Sequence, residues 1–449
     1  DEWRSIREGR FDVVIGSRRA VLAPQPDLGL IVLDEEQEWT YKQEEQAPRY
    51  HAREVALELT RRSGAVLILG SATPDVATMF HALRGDYRLL ELPGRVTTGP
   101  EGAGWMERPL AQVDVVDLRE ELREGNRSIF SRSLTDALTK ALAAGEQAIL
   151  FVNRRGAGSA VQCRSCGHTM KCHRCSVAFT YHASGVLLCH HCGRRRSSPT
   201  RCPACGRPTI RALGIGTERV AEEAARAFPG ARVLRWDRDA VAAQGGHEVI
   251  LGAFLRGEAD ILVGTQMLAK GLDLPRVTVV GVISADIGLH IPDIRAGERA
   301  FQVLCQVAGR AGRGFAPGRV IVQTYEPDHY AVRAAAAQDY RQFYLEEIGY
   351  RRALAYPPFT RMARLVHADA SPTTASQEAE RLAQRLRDEI RRRGLVGIRL
   401  VGPAPAPLAR LRGRYRWQVE VIGRDPVELL GTVPLPPRWT VDVDPVSGS

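Results

Sequence analysis

The sequence predicts an α/β protein built on parallel sheets, with a cysteine-rich insertion and a small α+β domain at its C-terminal end. Three observations predict this fold class. Short apolar strands alternate with helical stretches over most of the chain, eight of the nine cysteines fall between Cys163 and Cys205, and an amphipathic helix precedes two strands near the end. A length of 449 residues suggests about three domains.

Residues 1–90 predict part of a parallel sheet. Their apolar runs end in polar or small residues and lie at 12–16, 30–34 and 66–70. A helical stretch at 49–62 separates the last two runs. Continuous apolar runs are typical of strands that are buried on both faces of such a sheet. Residues 91–130 are rich in glycine, proline and charge, and we interpret them as a linker.

A second α/β region comprises residues 131–160 and 211–345. Its strands are predicted at 148–152, 260–264, 277–284 and 319–324. The cysteine-rich segment, residues 161–210, interrupts this region. An insertion of this kind belongs on a loop between elements of a stable host fold.

The eight clustered cysteines form four CxxC pairs. The pairs are Cys163/Cys166, Cys172/Cys175, Cys189/Cys192 and Cys202/Cys205. Eight thiolates fill two tetrahedral shells with none left over, so we predict two structural zinc ions whose closed shells leave no position for water. Spacing alone does not decide between nested and sequential pairing. Glycine follows three of the pairs, at Gly167, Gly193 and Gly206, where the chain can adopt positive φ.

The last region, residues 350–449, predicts a small α+β domain. Strands are expected at 399–401 and 417–421. One helix face is apolar, and the helix ends in three arginines, which suits a helix C-terminus. The apolar positions are Ala375, Ala379, Leu382, Leu386 and Ile390.

Composition limits the class of protein. The net charge is +10, which favours a polyanionic partner such as nucleic acid. The sequence has no apolar run long enough to span a bilayer and no signal peptide, so we expect no membrane contact and no disulfide framework. We expect a cytoplasmic, nucleoid-associated monomer.

Polar groups at strand ends carry the candidate chemistry. Asp34 and Glu35 follow the apolar run at 30–33, which is the Walker-B arrangement of a magnesium ligand and a residue that orients or deprotonates water. Gln306, Arg310 and Arg313 form a QxxGRxxR motif, and its arginines suit the charge that develops in phosphoryl transfer. With Ser71-Ala72-Thr73 between them, these motifs are typical of superfamily 2 helicases. We therefore predict two RecA-like lobes, of which the first is incomplete.

The sequence closely resembles the PriA family of bacterial replication-restart helicases over nearly its whole length. The resemblance depends on YKQ after the acidic motif (41–43), FVNRRG (151–156) and GIGTER (214–219) around the cysteine pairs, PDIRAGER (292–299) and DVDP (442–445). It implies ATP-dependent 3′→5′ unwinding at stalled forks and reloading of the replicative helicase. The implied partners are forked and single-stranded DNA, single-strand-binding protein, primosome proteins and the helicase loader.

The resemblance also implies site residues. It pairs the cysteines in a nested way, with Cys163, Cys166, Cys202 and Cys205 on one zinc. The second zinc then takes Cys172, Cys175, Cys189 and Cys192. Gly271 and Asp273 are candidates for contacts to ATP with Mg²⁺.

DNA contacts are predicted at two places. Trp39, Tyr41 and Tyr50 follow the acidic motif, where aromatic faces can stack on unpaired bases; the alternative is that these rings pack under the loop. Arg412 and Arg414 lie in a basic segment near the C-terminal end, for which the alternative is a solvated basic face.

Two departures from the family affect these expectations. The sequence contains no GxxxxGK[ST] motif, so it has no phosphate-binding loop. We expect that it is part of a longer protein and is inactive alone; the alternative is natural loss of the ATPase motif, which leaves a DNA- and protein-binding primosome scaffold. Gln37 stands where the family usually has histidine and cannot titrate near neutrality.

Overall fold

The chain forms two compact units. Unit 1 comprises Asp1–Arg88 and Ile348–Ser449, and unit 2 comprises Leu89–Glu347. The computed structural model describes residues 1–92, 94, 96–98, 105–107, 110–153, 159–182, 185–243, 246–265, 274–312 and 318–446. Within these ranges, none of the helices has the length and apolar character needed to cross a membrane.

The N-terminal part of unit 1 is a small α/β layer with two parallel strands. Its elements are α1 (Glu2–Arg7), 3₁₀ turns at Arg18–Leu22 and Trp39–Tyr41, β1 (Leu30–Leu33), α2 (Ala52–Ser63), β2 (Val66–Leu69) and α3 (Val76–Leu83). β1 and β2 pair in parallel, as predicted. The His51 ring accepts from Arg53 N–H at the start of α2, and Gly64 ends the helix at φ 75°.

Two strand predictions in this part were wrong in detail. Residues 12–16 form no strand in the described chain, and Val13 and Ile15 are 74% and 93% exposed, because a strand needs a hydrogen-bonded neighbour and none lies beside them. β1 and β2 are buried on one face only. Leu30 and Val32 of β1 are more than half exposed, since α2 packs on the opposite side of the pair.

Unit 2 begins with a short antiparallel pair followed by sheet strands and helices. These elements are β3 (Val96–Thr98), β4 (Trp105–Glu107), β5 (Gln112–Asp117), α4 (Leu118–Arg123), α5 (Arg132–Ala143) and β6 (Gln147–Phe151). The cysteine-rich segment adds β7 (Ser159–Cys163), β8 (Thr180–Tyr181), β9 (Val186–Leu188), β10 (Arg195–Ser197) and β11 (Ile210–Ala212).

The remainder of unit 2 alternates helices and strands. It comprises α6 (Thr217–Ala227), β12 (Val233–Trp236), α7 (Arg238–Ala243), α8 (His247–Leu255), β13 (Ile261–Gly264), β14 (Val277–Val282), α9 (Asp286–Leu289), α10 (Ala296–Ala308), β15 (Arg319–Thr324) and α11 (Tyr330–Ala337). α12 (Tyr340–Ala353) leads into the C-terminal part of unit 1.

Six parallel strands form the main sheet of unit 2, in the order β12-β13-β6-β14-β15-β5. β6, β13 and β14 are buried along their whole length, which confirms the predicted parallel sheet. β5 lies in the segment that composition marked as a linker. Its sequence QVDVVD mixes acidic and apolar residues. This segment is a strand because it pairs with β15 at one edge of the sheet.

The cysteine-rich segment forms a separate antiparallel sheet in the order β10-β9-β8-β7-β11. Its first and last strands pair with each other, with Cys163 opposite Ile210. The chain therefore enters and leaves this module at neighbouring points, and the module is inserted in the sequence between β6 and α6.

The C-terminal part of unit 1 is a four-stranded antiparallel sheet with the order β17-β18-β16-β19. Its elements are β16 (Arg361–Asp369), α13 (Pro372–Arg393), β17 (Arg399–Leu411), β18 (Arg414–Gly423), α14 (Pro426–Thr432) and β19 (Trp439–Val443). α13 is the predicted amphipathic helix: Ser371 caps its start, Gly394 ends it, and Leu382 and Leu386 are fully buried against the sheet.

Candidate functional site

Each CxxC pair forms the same tight turn. In all four, the residue after the second cysteine donates its N–H to the carbonyl of the first cysteine, at 2.7–2.8 Å. That residue has positive φ at Gly167, Gly193 and Gly206, as the sequence predicted. The fourth turn places Ser176 at φ 57°, so a side chain is accommodated there in a conformation that favours glycine.

The turns bring the eight thiols together in two tetrads, and within each tetrad every sulfur lies within 4.8 Å of the others. The tetrads are Cys163, Cys166, Cys202 and Cys205, and Cys172, Cys175, Cys189 and Cys192. This is the nested grouping. The Sγ atoms of Cys163 and Cys205 are 3.7 Å apart, as are those of Cys172 and Cys192. Four sulfurs at the usual Zn–S distance of about 2.3 Å would be separated by about 3.8 Å, so both tetrads fit a tetrahedral zinc ion.

Hydrogen bonds prepare one thiol of each tetrad to bind metal as a thiolate. Burial raises the pKa of the Cys163 thiol, but bonds from Thr209 and from backbone N–H groups of its own turn outweigh burial and lower the pKa to about 6. In the second tetrad, a bond from the Cys175 thiol, together with backbone N–H groups, lowers the pKa of Cys189 to about 5. Metal ligation by cysteine requires the deprotonated form.

A buried polar cluster fixes the module to the host sheet of unit 2. Gln162, next to Cys163 of the first tetrad, donates from Nε2 to Asp286 Oδ1 at 3.1 Å and to Glu326 Oε1 at 3.2 Å. The Thr169 hydroxyl donates to Glu326 at 2.8 Å, and His290 Nε2 lies 3.0 Å from the same carboxylate. Gln162 and Asp286 are fully buried, so the module is held by groups that have lost contact with water.

The acidic motif lies in unit 1 at the carboxyl end of β1. Asp34 and Glu35 are exposed, and Glu35 has φ 49°, a strained conformation for a residue other than glycine. Gln37 Nε2 donates to Glu35 Oε2 at 2.5 Å, and the Ser71 hydroxyl donates to Gln37 Oε1 at 2.5 Å. Gln37 thus joins the motif to the segment that follows β2.

The third acidic residue, Glu36, fixes the position of the motif through buried hydrogen bonds. It is buried and accepts from Arg53, from the Thr78 hydroxyl and from the Asp75 N–H, at 2.8–3.0 Å. Burial raises the pKa of Glu36, while the neighbouring Arg53 opposes this effect. The backbone that presents Asp34 and Glu35 is therefore held by α2 and α3.

A cleft of about 440 Å³ opens beside the acidic motif, entirely within unit 1. It is lined by Ser17, Arg18, Arg19, Asp34, Glu38, Thr40 and Tyr41. The Tyr41 hydroxyl donates to the Asp34 carbonyl at 2.8 Å, and burial together with the Asp34 charge raises the Tyr41 pKa. The cleft combines two arginines with two carboxylates, which suits a ligand made of a metal ion and phosphates.

The arginine motif lies in unit 2. Gln306 is half-buried near the end of α10, and Arg310 follows the helix with 7% of its surface exposed. Arg313, Gly271 and Asp273 lie outside the described residues.

The predicted DNA-facing residues differ in exposure. Trp39, Tyr41 and Tyr50 are half-buried, and the Tyr41 hydroxyl is engaged by the acidic motif. Arg412 and Arg414 are exposed at the hairpin that joins β17 to β18. This hairpin turn has φ 48° at Arg412 and 79° at Gly413.

Two groups of site residues were missed by sequence reasoning. Gln162 and Thr169, within the cysteine module, and Lys42, after the acidic motif, are buried polar residues with distant partners. Lys42 lies within YKQ, which we used only to identify the resemblance. Polar residues among apolar neighbours, as Gln162 is in SAVQC, were the available signal.

Comparisons with known proteins show which family the chain resembles. The Primosomal protein N C-terminal domain matches residues 352–446, and the Helicase conserved C-terminal domain matches residues 226–314. Replication restart protein PriA of Bacillus subtilis is 44% identical over 93% of this chain and 50% of its own length. The Synechocystis protein of the same name is 41% identical over 100% of this chain and 54% of its own length.

The chain thus spans about half the length of these two relatives. The PriA protein of Rickettsia prowazekii is 33% identical over 98% of this chain, and the match covers 67% of that relative. These similarities confirm the resemblance inferred from the motifs: the chain belongs to the PriA family of replication restart proteins.

Proposed function

We propose that the intact protein acts in replication restart: it recognises forked DNA, unwinds DNA 3′→5′ with ATP, and assembles a primosome that reloads the replicative helicase. The observation that carries this proposal is the acidic motif of a family member, presented at the end of β1 and joined through Gln37 to the segment after β2. This hydrogen-bonded link supports the proposal because it joins the carboxylate that would act on water to a second segment of unit 1.

The residues of the acidic motif have distinct roles in the proposed hydrolysis. Asp34 would hold Mg²⁺, which neutralises charge on the phosphates during transfer. Glu35 orients or deprotonates the attacking water. We assign stabilisation of the developing charge to Arg310, Arg313 and Gln306, and contacts to ATP to Gly271 and Asp273. Because the sequence has no GxxxxGK[ST] motif, we propose hydrolysis only for a polypeptide that also supplies a P-loop.

The cysteine module supports a role at DNA. Between residues 161 and 212 the sequence has no aspartate or glutamate, and all its lysines and arginines are exposed. These are Arg164, Lys171, Arg174, Arg194, Arg195, Arg196, Arg201, Arg207 and Arg211. A zinc ion with four thiolates carries a charge of about −2, so two such sites leave the module positive and suited to a nucleic-acid backbone. Trp39, Tyr41, Tyr50, Arg412 and Arg414 are the further DNA contacts that we propose.

We propose that both tetrads hold structural zinc. Four cysteines leave no open ligand position on either metal ion. Each zinc therefore supports the fold of the module, and the catalytic residues lie outside the module. Metal analysis of the purified protein should give two zinc ions per chain. A content of one or none would contradict two all-cysteine shells.

The proposed partners follow from the family. They are forked and single-stranded DNA, single-strand-binding protein, primosome proteins and the helicase loader. We propose that the protein works as a monomer in the cytoplasm, at the nucleoid.

A second candidate is supported by the cysteine module, whose exposed lysines and arginines can bind DNA without any ATPase. On this alternative the protein is a primosome scaffold that binds DNA and proteins without hydrolysing ATP. The coding sequence upstream of Asp1 separates the two candidates, because a G-x-G-K-[ST] motif after a strand belongs to the helicase alone. At the bench, the intact protein should hydrolyse ATP faster with forked DNA; an absence of DNA-stimulated turnover leaves the scaffold.

A further inference from the structure

A buried lysine beside the acidic motif connects it to the C-terminal sheet. Lys42 follows Tyr41, and only 3% of its side chain is exposed. Its Nζ lies 3.0 Å from Asp442 Oδ1 and donates to the Val443 carbonyl. Both partners belong to β19. An ammonium group is stable in such a place only with a charged partner, so Lys42 depends on this strand.

Asp442 lies in a row of charged residues across the sheet. In the pairing of β16 with β19, Asp442 lies opposite Arg364, and Arg364 pairs with Glu420 of β18 at 2.9 Å. Charges of alternating sign therefore run across three strands and end at Lys42. The opposite face of the sheet, with Leu365 and Val419, packs on α13.

The other end of the connection reaches the acidic motif. Tyr41 donates to the Asp34 carbonyl at 2.8 Å, and Arg18 Nη1 donates to the Thr40 carbonyl at 3.0 Å. The Lys42 N–H donates to the Trp39 carbonyl, so these residues form one compact turn. Adjacent residues of this turn thus bind the acidic motif and the C-terminal sheet.

We infer that Lys42 is a positioning residue through which the C-terminal sheet holds the main chain of Asp34 in place for a divalent cation. The cation site of the acidic motif is then incomplete without β19, although β19 contributes no ligand. The inference deepens the proposed function. A test that measures the Mg²⁺ dependence of ATP hydrolysis rests on that function, whereas a test that measures stability or hydrogen exchange does not.

The test separates positioning from a purely structural ion pair by a double-mutant cycle. K42M or D442N alone leaves a buried charge without its partner, and we expect each to lower the melting temperature by roughly 10 °C. K42M/D442N removes both charges and should recover most of that loss. R361M is the control, because Arg361 of β16 pairs with Asp444, the residue directly after β19, at an exposed position.

Two readouts report the acidic motif itself. Amide hydrogen exchange over residues 34–42 should be roughly tenfold faster in K42M and in the double variant than in wild type, and unchanged in R361M. In the intact protein, the Mg²⁺ concentration for half-maximal ATP hydrolysis should rise roughly tenfold in the same two variants. If the single variants do not fold, the double variant provides the same comparison.

The decisive result is the double variant. Recovered stability with fast exchange at 34–42 supports positioning. The inference is overturned if the double variant recovers both its stability and the wild-type exchange rate at 34–42. It is also overturned if the exchange rate at 34–42 does not change in any variant. A wild-type protein without ATPase activity would instead refute the proposed function and leave the exchange result to decide this inference.

Discussion

Gln37 occupies the centre of the acidic motif, where its amide nitrogen donates to Glu35 and its amide oxygen accepts from Ser71. Glutamine can make both bonds at any pH near neutrality, so this link does not titrate. The Gln37 amide therefore makes both hydrogen bonds without a change of charge near neutrality.

Replacing Gln37 by histidine should introduce a pH dependence. With an ordinary pKa near 6.5, the ring is protonated below about pH 6 and then holds the Glu35 carboxylate as an ion pair, which weakens it as a base. We expect Q37H to lose ATPase activity relative to wild type as the pH falls from about 7.5 to 6, measured on the intact protein. Parallel pH–rate profiles would contradict this role for residue 37.

Asp237 illustrates a titrating residue that stabilises unit 2. Burial raises its pKa, but the Thr217 hydroxyl, the Ala240 N–H and Arg235 outweigh burial and lower the pKa to about 2. Because the folded pKa lies below the unfolded value, this stabilisation is complete above about pH 4 and is lost as the pH falls toward 2. The wild type should exceed D237N by about 2 kcal/mol in unfolding free energy at pH 6, and by almost nothing at pH 2. A difference that stays constant with pH in urea titrations would contradict this assignment.

At the scale of elements, the β17–β18 hairpin presents a cation on an unfavourable backbone. Two central residues with positive φ are typical of a type I′ turn, in which asparagine or glycine is preferred to arginine at the first position. R412N should therefore stabilise the chain by about 0.5–1 kcal/mol while it removes a charge.

If Arg412 contacts a phosphate, R412N should also weaken binding to single-stranded DNA and reduce the salt dependence of log K by about 1. R438N is the control, because Arg438 also has positive φ, at 77°, and is 68% exposed, but it lies before β19, outside the hairpin, and pairs with Asp369. Equal losses of affinity in the two variants would indicate a general effect of charge.

The first zinc turn offers a second comparison between matched positions. Gly167 and Gly206 have φ 76° and 72°, so alanine costs each about 1 kcal/mol in backbone strain. A Cβ at Gly167 would also lie 2.4 Å from the Tyr325 carbonyl oxygen, whereas a Cβ at Gly206 meets nothing within 4 Å.

We therefore expect G167A to destabilise the seating of the module by about 1–3 kcal/mol more than G206A does. Proteolysis within residues 161–212 and thermal unfolding measure the difference. Similar behaviour of the two variants would mean that the turn can shift away from β15 without cost.

Local patterns predicted the elements whose signal lies within one stretch of chain. β6, β13, β14 and α13 were found because continuous apolar runs or helical spacing fix their burial. β5 was missed because its acidic residues become compatible with a strand only once β15 pairs with it. The thiols were predicted as zinc ligands from their spacing, but their grouping requires the antiparallel sheet that brings the first and last pairs together.

The Lys42–Asp442 contact shows the limit of such reasoning. Its two residues are separated by almost the whole sequence. Both lie in motifs that carry the family resemblance, YKQ and DVDP, but neither motif indicates that the two residues meet. Only the packing of β19 beside the turn after β1 turns an ordinary lysine into a buried one. Sequence patterns report what each element buries, and they do not report which charges meet.

At the scale of the molecule, the core of unit 2 and the cysteine module differ in what stabilises them. The six-stranded sheet has a large apolar core that includes Phe130, Leu134 and Leu138. The module's own cluster is small and is partly made of cysteines from the second tetrad, with Met170 and Phe179 among its few large side chains. Domains with so small a core usually need a metal ion or another cross-link to stay folded.

Zinc removal should therefore unfold the module and spare the host sheet. A strong chelator should raise hydrogen exchange across residues 161–212 to nearly the unfolded rate, while β6, β13 and β14 keep their protection. The strands β7 and β11 should lose protection together, because they pair with each other at the module's base. Loss of protection in the host sheet at the same chelator concentration would show that the buried contacts of Gln162 and Asp286 join the module and the host sheet into one cooperative unit. A module that stays protected would mean that its fold does not need the metal.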